Sequence, residues 1–192
     1  MVVVVKRKHI KSIGIIDYGY GNLTSVSGAV EHLGFKSVVS ADPFRLEQCD
    51  SLILPGVGSF SAGMKGLAEG SLIEMLNSQV LEHRKPFLGI CLGAQLIAEE
   101  SNEFGVTNGL GWVPASVNLL KPANPDLRVP HVGWNALNQV RSSILFDGIP
   151  DDALFYFVHS YHIVMKDPEL VTGTCDFDSP ITAAFEKDNI FA

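Results

Sequence analysis

Cysteine is scarce in this chain, with only Cys49, Cys91 and Cys175 among 192 residues. The number is odd and the spacing wide, which argues against a disulfide framework. No Cys-x-x-Cys pair is present, so there is no zinc signature. Charge is also sparse, at 18% of residues, and the formal net charge is -7. No basic cluster of the kind that tracks phosphates occurs, which argues against a nucleic-acid partner. Long apolar runs are missing as well. Met1–Val5 is far too short to span a bilayer, and Lys6, Arg7 and Lys8 follow it, the reverse of the order in a secretory signal. Neither a metal nor an organic cofactor is signalled, and no membrane association. The balance that remains, 46% hydrophobic, builds a core. The length favours one domain over 1–192, with residues 1–11 as an extension or first edge strand. A reducing cytoplasm fits, and it leaves a cysteine free for chemistry.

The first half alternates strand and helix. Ile13–Asp17 is a short apolar run closed by the turn-rich Tyr18-Gly19-Tyr20-Gly21-Asn22. Val26, Ala29, Val30 and Leu33 then recur at helical spacing, with Gly34 as the stop. Strands are expected at Ser37–Ser40, at Ser51–Leu54 (broken by Pro55-Gly56) and at Pro86–Ile90, with helices over 72–81 and Leu92–Glu100. This alternation predicts an α/β fold whose parallel sheet is covered on both faces. The second half differs. Trp112–Leu120, Leu154–His159, Ile163–Met165, Leu170–Cys175 and Ile181–Phe185 read as shorter strands without helices between them, so hairpins or a mixed sheet edge are expected there.

The sharpest chemical signal is Gly89-Ile90-Cys91-Leu92-Gly93, between an apolar strand and a helix. It is the cysteine form of the strand-turn-helix elbow that lifts a nucleophile at the end of a sheet. A side chain at either glycine would collide with neighbouring backbone. The helix N-terminus is expected to favour thiolate at Cys91, and the Leu92 amide to face a developing oxyanion. A lone cysteine is more often buried core; this context points instead to a nucleophile. Pro55-Gly56-Val57-Gly58, after another strand, offers backbone amides for the second half of an oxyanion hole, although alone it would read as an ordinary Pro-Gly turn. Gly19-Tyr20-Gly21 begins like a dinucleotide fingerprint, but Thr24 occupies the third glycine position and no acidic residue follows at the expected distance.

Five stretches occur in a set order: Asp17-Tyr18-Gly19-Tyr20-Gly21-Asn22-Leu23, Pro55-Gly56-Val57-Gly58-Ser59-Phe60, Gly89-Ile90-Cys91-Leu92-Gly93-Ala94-Gln95, Pro130-His131-Val132-Gly133-Trp134-Asn135 and Phe155-Tyr156-Phe157-Val158-His159-Ser160-Tyr161. From about Ile13 onward the chain closely resembles the glutaminase subunits of imidazole glycerol phosphate synthase, which are class I (triad-type) glutamine amidotransferases. The elbow is shared by the whole class; the last two stretches are specific to this subunit. The resemblance implies a three-layer, flavodoxin-like fold with a mixed central sheet. It implies that Cys91 attacks glutamine to form a thioester, that the Val57 and Leu92 amides form the oxyanion hole, and that Gly56, Gly58, Gln95, Ser160 and Tyr161 hold glutamine. Asn22, Trp134 and Tyr156 match positions that face a (β/α)8-barrel cyclase partner in a heterodimer, although core packing is an alternative for Trp134 and Tyr156. Ammonia would pass to that partner, which makes imidazole glycerol phosphate and aminoimidazole carboxamide ribotide in histidine biosynthesis.

A cysteine hydrolase also needs a base and a carboxylate to orient it. The resemblance implies a Phe-His-Pro-Glu motif just beyond a segment like Asn189-Ile190-Phe191-Ala192, so the triad histidine and glutamate are expected beyond Ala192 and the last part of the family's domain is not represented in 1–192. If a tail follows, the glutaminase reading stands; open sheet edges without it favour this. If the polypeptide ends at Ala192, a non-catalytic, partner-binding form is the alternative. His159 and His162, three apart on a predicted strand, face opposite sides and make a poor metal pair. His131 reads as structural, and His9, His32 and His83 as surface residues or helix ends. A paralogue supplying ammonia to a surface-polysaccharide sugar is a further alternative, mildly raised by the extension to Lys11 and by Ala94 after the elbow glycine. A free-standing cysteine hydrolase with the same elbow would carry histidine where Leu92 stands.

Overall fold

The computed structural model describes residues 11–150 and 153–192; most of the expected N-terminal extension, and His9, lie outside the described residues. The first half contains β1 (Ser12–Ile16), α1 (Leu23–His32), β2 (Lys36–Ser40), α2 (Pro43–Glu47), β3 (Ser51–Gly56), α3 (Phe60–Glu69), α4 (Leu72–Leu76), β4 (Phe87–Cys91) and α5 (Leu92–Leu96). Then come β5 (Glu100–Ser101), β6 (Thr107–Asn108), β7 (Ala115–Leu119), β8 (His131–Ala136), β9 (Asn138–Gln139), β10 (Leu154–His159), β11 (Tyr161–Met165), β12 (Val171–Phe177), β13 (Ser179–Lys187) and β14 (Ile190–Phe191).

The main sheet has eight strands in the order β2-β1-β3-β4-β14-β13-β12-β9. The first five run parallel and the others antiparallel, so the sheet is mixed. β11-β7-β5-β6 form a second sheet, and among the described residues β10 pairs with β8 alone. Alternation along the strands sorts the core. Leu52, Leu54, Ile16 and Phe87 pack on one face with Phe60, Leu67, Leu76 and Leu96 of the helices. Ile15 and Ile53 pack on the other, under Val30 of α1. Burying each such side chain stabilises the fold by about 1.5–3 kcal/mol. Beside α1, the second face carries an apolar cleft of about 240 Å3 whose lining includes Ile13, Ile53, Leu88, Ile144, Leu145 and Phe191.

Several expectations from the sequence are corrected. β3 continues through Pro55-Gly56, which pair with Ile90 and Cys91 of β4. Pairing of β1 with β3 stops at Ile53, so the missing proline N–H removes no ladder bond on that side. α5 ends at Leu96 rather than Glu100, because residues 110–112 turn back to donate to the carbonyls of Leu96, Ala98 and Ile97. The helix expected over 72–81 is an α-helical turn that passes into a π-helical stretch over Asn77–Glu82. α2, α3, β8 and the two-residue strands β5, β6, β9 and β14 are elements beyond those expected from the sequence.

Candidate active site

The carboxyl ends of the parallel strands β1, β3 and β4 meet on one edge of the sheet, and the motif residues gather there. Cys91 is the last residue of β4 and sits at φ 56°, ψ -115°, a backbone conformation rare for a residue with a side chain. The collision anticipated at the flanking glycines is present. A Cβ on Gly93 would lie 1.8 Å from the Leu54 carbonyl oxygen, and one on Gly89 would lie 2.8 Å from Ala94 Cα. α5 therefore starts in direct contact with β3, which only glycine permits, and the tight turn presents Cys91 outward.

Cys91 is open to solvent at the residue level, yet protein packs closely enough around its sulfur that lost solvation pushes the thiol pKa up. A hydrogen bond from the Leu92 backbone N–H opposes this without overcoming it. The expectation that the helix terminus lowers the pKa is thus corrected: a five-residue helix contributes little against desolvation. Leu92 opens α5 directly after Cys91.

Gly56 is the ladder partner of Cys91, and Val57 and Gly58 follow it on an exposed loop. Gly58 has φ +110° and lies near the ring of Tyr20, and Gly21 abuts Pro55, so the loops after β1 and β3 touch. Gln95, one turn beyond Cys91, donates from Nε2 to the Tyr161 carbonyl at 3.0 Å. The Ser160 carbonyl accepts from the Leu120 amide at 2.8 Å. Cys91, Gly56, Val57, Leu92 and Gln95 are thus joined by strand register and chain connectivity, and Tyr161 is drawn to them through Gln95. Tyr18 escaped the sequence reading as an individual residue. Its hydroxyl is buried with no hydrogen-bond partner among the described residues, and a Cβ on Gly56 would lie 2.2 Å from it. Burial first, and the nearby Cys91 second, raise its pKa, so it stays a neutral O–H.

Asn22 is exposed and caps α1, its Oδ1 accepting from the Ser25 amide at 3.2 Å. Trp134 and Tyr156 are cross-strand partners in β8–β10, with ring centroids 5.6 Å apart at 68°. They are 68% and 55% exposed, which removes the core-packing alternative. Among the described residues no histidine is hydrogen-bonded to Cys91. His159 is occupied by His131 and by the Tyr161 carbonyl, and His32 and His83 are exposed. His159 ends β10 while His162 lies in β11, so they belong to two sheets. Among the described residues no group of three or more His, Cys, Asp or Glu is placed to hold a metal ion. The larger cleft, about 910 Å3 and lined in part by Asp50, His83, Lys85 and Asp147, lies at the amino ends of β3 and β4, away from Cys91.

Residues 14–192 match the family model for glutamine amidotransferase class-I. An imidazole glycerol phosphate synthase subunit HisH 2 of Vibrio vulnificus is 45% identical, over 93% of this chain and 83% of its own length. A subunit HisH of Caulobacter vibrioides is 42% identical, over 94% and 87%. Among solved structures, a glutamine amidotransferase superposes with a TM-score of 0.69 at 21% identity, covering 94% of this chain and 87% of that one. Another, from Thermotoga maritima, gives 0.61 at 19%, covering 95% and 74%. At such identities these structures speak for the fold alone.

Proposed function

The chain belongs to the class I glutamine amidotransferase family, and from that premise we propose that it hydrolyses glutamine at Cys91 as the ammonia-producing subunit of an imidazole glycerol phosphate synthase. The observation that carries the reading is Cys91 itself, at positive φ on a glycine-flanked elbow and paired with Gly56. In the proposed reaction the Cys91 thiolate attacks the side-chain amide carbon of glutamine. The resulting oxyanion is held by the amides of Leu92 and Val57. The C–N bond then breaks, ammonia leaves with a proton supplied by the general acid, and water hydrolyses the thioester to glutamate and free thiol. Gly56, Gly58, Gln95, Ser160 and Tyr161 are proposed to hold glutamine.

The raised pKa of Cys91 means that a base must take its proton. β14 runs parallel to β4 in the register Ile190 with Phe87 and Phe191 with Leu88, and so heads along β4 toward Cys91. That direction supports a triad histidine and glutamate supplied by sequence following Ala192. We propose one domain over 1–192, with residues 1–11 as its N-terminal extension. The exposed face of β8–β10, with Trp134 and Tyr156, is the proposed seat of a (β/α)8 cyclase, which receives the ammonia and releases imidazole glycerol phosphate and aminoimidazole carboxamide ribotide. Among the described residues no helix is long and apolar enough to cross a membrane. The three cysteines are free, which supports the proposal that the chain works in a reducing cytoplasm.

The test is glutamate release from glutamine by the native-length chain with its cyclase, together with mass analysis of acid-quenched enzyme. A glutamyl adduct on Cys91 is expected. Steady hydrolysis with the adduct elsewhere, or no hydrolysis in the assembled pair, overturns the reading.

A further inference from the structure

We infer that His131 and His159 form a positioning relay between the outward-facing β8–β10 hairpin and the carbonyl that Gln95 grips beside Cys91. The inference rests on the glutamine-hydrolysis reading above and assigns two residues to it that have no other role there.

The two histidines are register partners across β8 and β10. His131 Nδ1 lies 3.0 Å from His159 Nε2, and His159 Nδ1 lies 3.0 Å from the Tyr161 carbonyl oxygen. A carbonyl only accepts, so His159 carries its proton on Nδ1 and presents a bare Nε2. His131 must then donate from its Nδ1. The Tyr161 carbonyl takes a second bond, from Gln95 Nε2 at 3.0 Å. The chain therefore reads His131, His159, Tyr161, Gln95, and Gln95 is four residues beyond Cys91. Burial lowers the pKa of both histidines, which keeps the pair neutral near neutral pH, as this pattern of donors requires. Among the described residues His162, whose buried Nδ1 has no partner there, is the other histidine within electrostatic reach of His159.

The His131 ring has little freedom. It stacks on Phe157 at 5.1 Å and 19°, and it meets Phe177 of β12 at 4.6 Å and 33°. The opposite face of the same two strands exposes Val132, Trp134, Tyr156 and Val158. Among the described residues, β8 and β10 hydrogen-bond as a sheet only with each other. A partner pressing on the outer face thus moves a two-stranded unit whose inner face holds the relay. Two hydrogen bonds then separate His131 from the Tyr161 carbonyl.

A structural staple would cost stability and nothing more, so the test separates KM from stability. The native-length chain in complex with its cyclase is assayed for kcat and KM on glutamine, with the thermal midpoint as control. His159→Leu is expected to raise KM for glutamine about tenfold with a smaller change in kcat, the scale of one lost hydrogen bond. His131→Leu is expected to raise KM by about threefold to tenfold, whereas His131→Asn, whose amide donates from the position of Nδ1, returns it to within about twofold of wild type. Wild-type KM in a stably folded His159→Leu enzyme overturns the relay alone, as does His131→Asn performing no better than His131→Leu. A wild-type complex that releases no glutamate overturns the functional reading, and the relay with it.

Discussion

The elbow around Cys91 and the β8–β10 hairpin stand on opposite principles. The elbow is built from backbone contact: Gly93 against the Leu54 carbonyl, Gly89 against Ala94, and Gly56 in register with Cys91. Its support is the central core, where Phe60, Leu67 and Leu96 are fully buried. The hairpin has one packed face of His131 and Phe157 and one bare face of Val132, Trp134, Tyr156 and Val158. A site that must hold geometry within a fraction of an ångström is placed where nothing can shift, and a surface awaiting a partner is placed where aromatic area is left open.

The largest effect should separate chemistry from architecture on the elbow side. Cys91→Ser is expected to lower glutamine hydrolysis by at least about 10^4-fold while the thermal midpoint barely moves; retained turnover would remove Cys91 from the reaction. Gly93→Ala is expected to destabilise the chain by about 3 kcal/mol or more, because its methyl overlaps a strand carbonyl. Denaturant melts measure this, and a neutral result would show that the elbow can relax. On the hairpin side, Trp134→Ala is expected to weaken binding of the proposed cyclase partner by about 2 kcal/mol and to leave the melting of the free chain nearly unchanged. Loss of stability without loss of affinity would turn the bare face into mere scaffold. In the isolated chain, alkylation of Cys91 by iodoacetamide should climb with pH through a midpoint above that of an ordinary cysteine, since burial raises its pKa and only the thiolate reacts. A midpoint below the ordinary value would mean that the helix end prevails after all. The smallest effect belongs to Glu103. It accepts from the Phe60 amide at 2.6 Å where Ser59 provides no side-chain cap. Glu103→Gln should cost about 0.5–1 kcal/mol through lost charge at the start of α3, seen in the same melts.

The elbow was readable because β4 and the glycines around Cys91 carry local signals that do not depend on the rest of the chain. α3 was not, because Gly63 and Gly66 lower helix propensity. The close approach of α3 to the loop after β1 demands glycine at 66: a Cβ on Gly66 would lie 2.4 Å from the Tyr18 carbonyl oxygen. The break expected at Pro55 failed because proline's cost depends on whether a neighbouring strand needs its N–H, which a single sequence does not reveal. The direction of the Cys91 pKa was misjudged for a related reason, since burial is a property of packing. The pairing of His131 with His159, 28 residues apart, rests on cross-strand register that neither stretch shows by itself. Trp134 and Tyr156 were legible as a pair of positions but not as an exposed face until the strands were laid side by side.

The two tryptophans of the chain divide between these regions. Trp112 is 3% exposed, meets Phe87 edge-on at 5.0 Å and donates from its indole N–H to Asn77. Trp134 is open to water. Their fluorescence should therefore resolve into a blue-emitting, quencher-resistant signal and a red-emitting, quencher-sensitive one. When a protein covers the hairpin, only the second should shift to shorter wavelength, and when the core melts the first should follow. The chain thereby carries a native optical gauge for docking, with an internal standard for its own integrity.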